Sequence, residues 1–112
     1  MHELSICTSL ARIVAEHADG RPVERVHLDI GHLRQVIPDT LRYSWEIVVT
    51  DTPLAGSVLE INHIPVVLDC RACGDSTTVE VAVFRCTCGS TDVDVISGRE
   101  LQVTSLELTG VT

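Results

Sequence analysis

The sequence predicts an α+β (α/β-like) fold: a small mixed three-stranded sheet packed with two helices, with a cysteine-rich β module inserted into it. Three observations lead there. Apolar residues recur first at helical and then at strand spacing between Leu4 and Ile64. Four cysteines stand in two close pairs, Cys70-Arg71-Ala72-Cys73 and Cys86-Thr87-Cys88, each followed by a glycine. Strand-like alternation then resumes after Gly98.

The first helix is expected from Leu4 to Ala18, with Ile6, Leu10, Ile13 and Val14 on one face, His17 extending it, and Asp19-Gly20-Arg21-Pro22 as its end. Val26, Leu28 and Ile30 alternate with Arg25, His27 and Asp29, which predicts a half-buried strand closed by Gly31. Pro38 and Asp39 open a second helix, lined by Leu41, Trp45, Val48 and Val49 and finished by Thr52-Pro53. Val58 to Ile64 reads as a strand with Leu59 and Ile61 on one face, ended by Pro65. Short strands are expected at Thr78–Phe84 and Asp92–Ile96. Beyond Gly98, Leu101 and Val103 share one parity and Leu106 and Leu108 the other, which predicts a bulge near Thr104-Ser105 or a change of buried face. A strand–helix–strand unit favours a parallel pair. The expected division is therefore a main domain of 1–65 and 98–112 and an inserted module of 66–97.

Sixteen acids oppose eight bases, all arginine, for a formal charge of −8. That sign, without a basic stripe interleaved with aromatics, argues against nucleic acid as a partner. No run approaches a membrane span, and the first residues lack a basic segment followed by an apolar one, so the expected location is cytoplasmic. In a reducing compartment close cysteine pairs are ligands before they are disulfides. The odd fifth thiol, Cys7, is expected as a small buried residue of the first helix.

Cys70, Cys73, Cys86 and Cys88 read as a closed tetrahedral site for structural zinc in a zinc-ribbon-like module. A single iron on the same thiolates is the alternative metal. The second pair is one residue shorter than the usual Cys-x-x-Cys. Side chains two apart on an extended strand diverge too far to share an ion, so Cys86-Thr87-Cys88 must be kinked or Cys86 must be a weak ligand. His63, Asp69 and Asp75 are the reserve ligands. A closed four-thiolate site has no open position for water, and no phosphate loop, nucleophile elbow or zinc-enzyme histidine pair occurs, so the chain reads as a non-enzyme.

The chain opens Met1-His2-Glu3. A histidine at position two can present the terminal amine, the Met1–His2 amide nitrogen and an imidazole nitrogen to one ion, a planar set suited to Ni(II) or Cu(II), with Glu3 as a fourth ligand or a support for the imidazole. Alone, such a start is more often a solvated, frayed terminus. His17, His27 and His32 are read as structural or exposed.

The Met1-His2-Glu3-Leu4-Ser5 start, Gly31 through Pro38-Asp39, both cysteine knuckles, and Ser97-Gly98-Arg99-Glu100-Leu101 followed by Ser105-Leu106-Glu107 together resemble the HypA/HybF-type nickel chaperones of hydrogenase maturation. The likeness spans almost the whole chain in order. It implies a metallochaperone that carries Ni2+ as transient cargo to the [NiFe] hydrogenase large subunit with a maturation GTPase, some relatives also serving urease. It further implies that Met1, His2 and Glu3 handle nickel in the main domain while the four cysteines hold zinc, in a monomer or weak homodimer. The missing spacer residue at Cys86-x-Cys88 departs from the family pattern. The competing class is an acidic zinc-ribbon interaction module that never handles nickel.

Overall fold

The computed structural model describes residues 3–79 and 84–109. They divide into two units, one of residues up to Asp29 with Val36–Asn62 and the segment from Gln102, the other of Ile30–Gln35 and His63–Leu101.

In the first unit, α1 (Glu3–Ala18) buries a stripe of Glu3, Cys7, Leu10, Val14 and Ala18. This stripe is rotated from the predicted one: Ile13 is 43% exposed and His17 is exposed, its Nδ1 2.9 Å from the Ile13 carbonyl. Cys7, small enough to let another chain segment approach, donates from Sγ to the Leu41 carbonyl at 3.4 Å. Asp19 (φ 52°) and Gly20 (φ 79°) end the helix in left-handed conformation. α2 (Pro38–Val49) starts with proline at its first turn after an extended Ile37, where the proline ring disfavours helix. It buries Leu41, Ser44, Trp45 and Val49. The Trp45 indole donates to Ser57 Oγ at 2.9 Å, and Ser57 donates onward to the Leu54 carbonyl at 2.6 Å, so each buried donor is satisfied.

Strands β1 (Val23–Gly31), β2 (Val58–Ile64) and β6 (Leu101–Leu108) form a sheet in the order β2-β1-β6. Arg25 pairs with Glu60 at 3.4 Å and, further along both strands, Asn62 donates to Asp29 at 3.1 Å, so β1 and β2 run in the same direction. The Gly31 amide meets the Glu100 carbonyl at 2.7 Å at one end, and the Thr109 amide meets the Pro22 carbonyl at 3.0 Å at the other, so β6 runs opposite to β1. The sheet is mixed, as predicted. Both hydrogen-bonded ends lie the same number of residues apart on the two strands, so there is no net slip of register. The parity break at Thr104-Ser105 is instead a change of face: two consecutive residues are exposed, with Val103 and Leu106 half-buried on either side.

The second unit holds β3 (Val66–Cys70), β4 (Ser76–Val79) and β5 (Val93–Ser97), antiparallel in the order β4-β3-β5. β3 is a strand not anticipated from the sequence. Its apolar run is short and begins directly after Pro65, so it carries little period of its own, yet Val66, Leu68 and Cys70 alternate as its buried face. The strand expected at Thr78–Phe84 starts two residues earlier, and 80–83 lie outside the described residues. Between β3 and β5 the register jumps from Val67 opposite Ser97 to Leu68 opposite Val95, which leaves Ile96 as a bulged residue and explains its 57% exposure.

Residues His32–Arg34, directly after β1, form a 3-10 helix. The Leu33 amide donates to the Gly98 carbonyl at 2.8 Å, and Arg34 Nε to the Arg99 carbonyl at 2.7 Å. The approach at Gly31 is so close that a β-carbon there would lie 2.1 Å from the Gly98 carbonyl carbon. Gly31→Ala is therefore expected to cost about 3 kcal/mol or more, because neither partner is a flexible side chain that can yield. Gly20→Ala, with open space around it but a left-handed φ, is expected to cost about 1 kcal/mol. Urea unfolding of the zinc-loaded variants checks the ranking, and equal midpoints for the two would contradict it.

Candidate metal centre

β3 delivers Cys70 on its buried face at the end of the strand, and the chain then turns over Arg71-Ala72-Cys73. The Gly74 amide closes this turn onto the Cys70 carbonyl at 2.9 Å, with Gly74 at φ 80°. The second knuckle closes in the same way but one residue sooner. The Gly89 amide meets the Cys86 carbonyl at 2.9 Å, Gly89 has φ 95°, and the Cys86 amide reaches the Ser90 carbonyl at 2.9 Å. Glycine stands where an L side chain is strained. The kink required by the shortened Cys86-Thr87-Cys88 spacing is thus present, and Cys86 converges with the other three.

All four sulfurs lie within 4.8 Å of one another. Cys70 Sγ is 3.7 Å from Cys88 Sγ, and Cys73 Sγ is 3.5 Å from Cys86 Sγ. Thiolates about 2.3 Å from a central tetrahedral zinc stand about 3.8 Å apart, so the donor set fits Zn2+. Cys70 and Cys86 are buried while Cys73 and Cys88 are exposed. The backbone also favours thiolate. The Cys86 thiol is lowered to about 6, first by the Cys88 amide, and Cys70 is lowered first by the Cys73 amide, whose nitrogen lies 3.4 Å from the sulfur. Their neighbours move the other way: against the Asp75 amide, the Cys86 sulfur beside it pushes Cys73 up to about 12, and against the Ser90 amide the Cys86 and Cys70 sulfurs raise Cys88, so without an ion the four share their protons unequally.

Arg71, inside the first knuckle, pairs with Asp92, just before β5, at 2.5 Å and with Asp94 within that strand. None of the reserve ligands belongs to the cluster. Asp69 accepts from Ser76 Oγ at 2.5 Å, Asp75 contributes its backbone carbonyl, which accepts the Cys70 amide at 2.9 Å, and His63 Nε2 lies 3.2 Å from His32 Nδ1. That last pairing was not legible in the sequence, where the two histidines are far apart. His27 Nε2 meets Glu107 at 2.5 Å on the polar side of β1, consistent with its structural assignment. Of the N-terminal residues, Glu3 is buried as the first residue of α1, while Met1 and His2 lie outside the described residues.

A family model described as hydrogenase/urease nickel incorporation, metallochaperone, HypA matches residues 1–108. The hydrogenase maturation factor HypA of Nostoc sp. is 41% identical over 108 residues, covering 96% of this chain and 96% of that protein. The factor of the same name from Desulfatibacillum aliphaticivorans is 42% identical over 113 residues, covering 96% of this chain and 87% of its own. The solution structure of the Ni metallochaperone HypA from Helicobacter pylori superposes with a TM-score of 0.68 at 26% identity, covering 96% of this chain and 97% of that one. A second solution structure of a HypA protein gives a TM-score of 0.70 at 26% identity, over 99% and 98% of the two chains.

The five free thiols are expected to separate into two classes. Burial, with the Glu3 charge adding to it, pushes Cys7 up to about 11. After chelation of zinc at about pH 8, a disulfide reagent should modify the four ligand cysteines rapidly and Cys7 only as the chain unfolds. Five thiols reacting in one fast phase would contradict this. The neutral Cys7 thiol contributes stability that is complete below the ordinary thiol range and is lost as pH rises through about 11. Cys73→Ala should release zinc and unfold the second unit while α1 and α2 keep their helical signal, because a small module has little core without its ion. Metal content with circular dichroism reads both results, and full zinc retention in the variant would remove Cys73 from the ligand set.

Proposed function

We infer the function from the family to which the chain belongs, the HypA metallochaperones of hydrogenase/urease nickel incorporation, which bind nickel and zinc and serve hydrogenase maturation. The protein is accordingly a nickel metallochaperone for hydrogenase maturation, with a four-cysteine cluster compatible with structural zinc. A maturation factor delivers cargo rather than turning over a substrate, which supports its assignment as a non-enzyme. No helix among the described residues is long and apolar enough to cross a membrane.

The residue-level assignment goes further. Ni2+ is taken up by the Met1 amine, the following amide nitrogen and the His2 imidazole, with Glu3 as support, and Cys70, Cys73, Cys86 and Cys88 hold zinc. Segments 1–65 and 98–112 handle the cargo, and 66–97 is the zinc-binding insertion. The recipient is the large subunit of [NiFe] hydrogenase, reached with a maturation GTPase in the cytoplasm, and urease maturation factors are a second outlet. The observation that carries this assignment is the Met1-His2-Glu3 start in a chain whose family match begins at residue 1. Hard nitrogen donors at a chain terminus suit Ni(II) and leave the cargo open to capture by a partner, whereas four thiolates hold their ion closed.

Uptake requires a deprotonated amine, with an ordinary pKa of about 8, and a neutral imidazole, about 6.5. Nickel affinity should therefore fall as pH drops from about 7.5 to about 6, protons competing with the ion. His2→Ala, or residues added before Met1, should abolish tight nickel binding and leave zinc in place. Nickel titration of tag-free, zinc-loaded protein tests each point. Unchanged affinity across that pH range, or retention in both variants, would place the cargo site elsewhere.

A further inference from the structure

His32 Nδ1 and His63 Nε2 lie 3.2 Å apart, with the rings edge to face and their centroids separated by 5.4 Å. Both residues belong to the second unit, and neither is buried. No buried core depends on the contact, and neither ring is part of the cysteine cluster. Two neutral imidazoles meet this closely only when one supplies its N–H and the other its lone pair.

The backbone under each ring is fixed. His32 opens the 3-10 helix, held on one side by the Gly31 amide on the Glu100 carbonyl at 2.7 Å and on the other by the Leu33 amide on the Gly98 carbonyl at 2.8 Å. His63 stands near the end of β2, two residues before Pro65, whose carbonyl accepts the Ser97 hydroxyl at 2.8 Å. Ligands carried on held backbone meet an ion at little ordering cost.

We propose that His32 and His63 form a bidentate site for a divalent first-row cation that prefers imidazole, of the Ni2+ or Zn2+ kind, additional to the cysteine cluster and made of none of the residues assigned to N-terminal uptake. At metal–nitrogen distances of about 2.0–2.1 Å, nitrogens at the observed 3.2 Å spacing subtend about 100° at the ion, between the square-planar and tetrahedral values. His32 binds through Nδ1 and keeps its hydrogen on Nε2, while His63 binds through Nε2 and keeps its hydrogen on Nδ1. The bridging hydrogen moves by tautomeric exchange, with no net proton lost from the neutral pair. Water completes the coordination, so the ion is held loosely and exchanges readily, unlike one enclosed by four thiolates.

The test uses full-length, zinc-loaded protein carrying His2→Ala, so that its result is independent of the N-terminal assignment. Ni2+ titration in competition with a chromophoric chelator should show one further equivalent bound. His32→Gln or His63→Gln should each weaken it by at least roughly tenfold, while His17→Ala and His27→Ala leave it unchanged. Imidazole 15N spectra of the same protein without those changes, titrated with Zn2+, should shift at His32 Nδ1 and His63 Nε2. No further equivalent, the same affinity in the double His32→Gln/His63→Gln variant, or 15N shifts confined to other histidines would overturn the proposal.

Discussion

The second unit depends on a place where two backbones touch. Gly31 and Gly98 approach so closely that neither a side chain nor water fits between them, and hydrogen bonds from Gly31, Leu33 and Arg34 to the Gly98–Glu100 stretch close around the contact. Gly98 has a second constraint of its own, since a β-carbon there would meet Val66 Cγ2 at 2.8 Å and its φ is 114°. Three segments distant in sequence, 30–35, 63–66 and 97–101, are thereby held together. Ser97 adds a bond to Pro65 at 2.8 Å, and Glu100 Oε1 accepts the Gly98 amide at 2.7 Å. The Ser97-Gly98-Arg99-Glu100-Leu101 stretch and the residues after Gly31, two of the motifs that carry the family resemblance, are therefore two halves of one packing arrangement.

Given that clasp, the remainder of the unit is economical. Its buried apolar residues among those described are few: Ile30, Val66 and Leu68, joined by the ligands Cys70 and Cys86. So small a core cannot outweigh the entropy of ordering the knuckles, and coordination of the four sulfurs supplies what hydrophobic burial does not. Amide groups turned towards Cys70 and Cys86 lower their pKa before any ion is considered, so at these two positions the backbone and a metal favour the same ionised state, whereas Cys73 and Cys88 are raised by the neighbouring sulfurs and would need the ion to ionise. The first unit is built the other way. Leu41, Trp45, Val14 and Leu28 fill it with apolar volume, and two of its polar interior groups, the Trp45 indole and the Ser57 hydroxyl, are joined in a short satisfied chain.

Soft thiolates in a closed tetrahedron suit an ion that stays, whereas a terminal nitrogen chelate of the kind proposed for Met1-His2-Glu3 would suit an ion that leaves. Placing the two on different donor types would keep cargo from competing for the structural position. The His32–His63 pair offers two imidazole donors on held backbone, fewer than either of the other sets, and would hold an ion the most loosely of the three.

The sequence by itself determined the elements whose signal is local. The helix spans, the β1 and β2 strands and the meeting of the four cysteines follow from period, from proline and glycine punctuation and from cysteine spacing. For the shortened knuckle the sequence left two outcomes, a bend or a weak Cys86, because the geometry of one ion fixes how far apart its ligands stand. Tertiary structure decided whatever depends on a partner distant in the chain. β3 is a strand because β4 and β5 flank it. α1 turns Cys7 rather than Ile13 inward because Leu41 of α2 meets it there. Thr104-Ser105 switches face without slipping register because both ends of β6 are pinned to β1. His32 and His63 meet between segments 31 residues apart that the Gly31–Gly98 contact helps to hold together. Local propensity acts over a few residues, whereas these outcomes are set by excluded volume and hydrogen-bond satisfaction between segments that no short window of sequence contains.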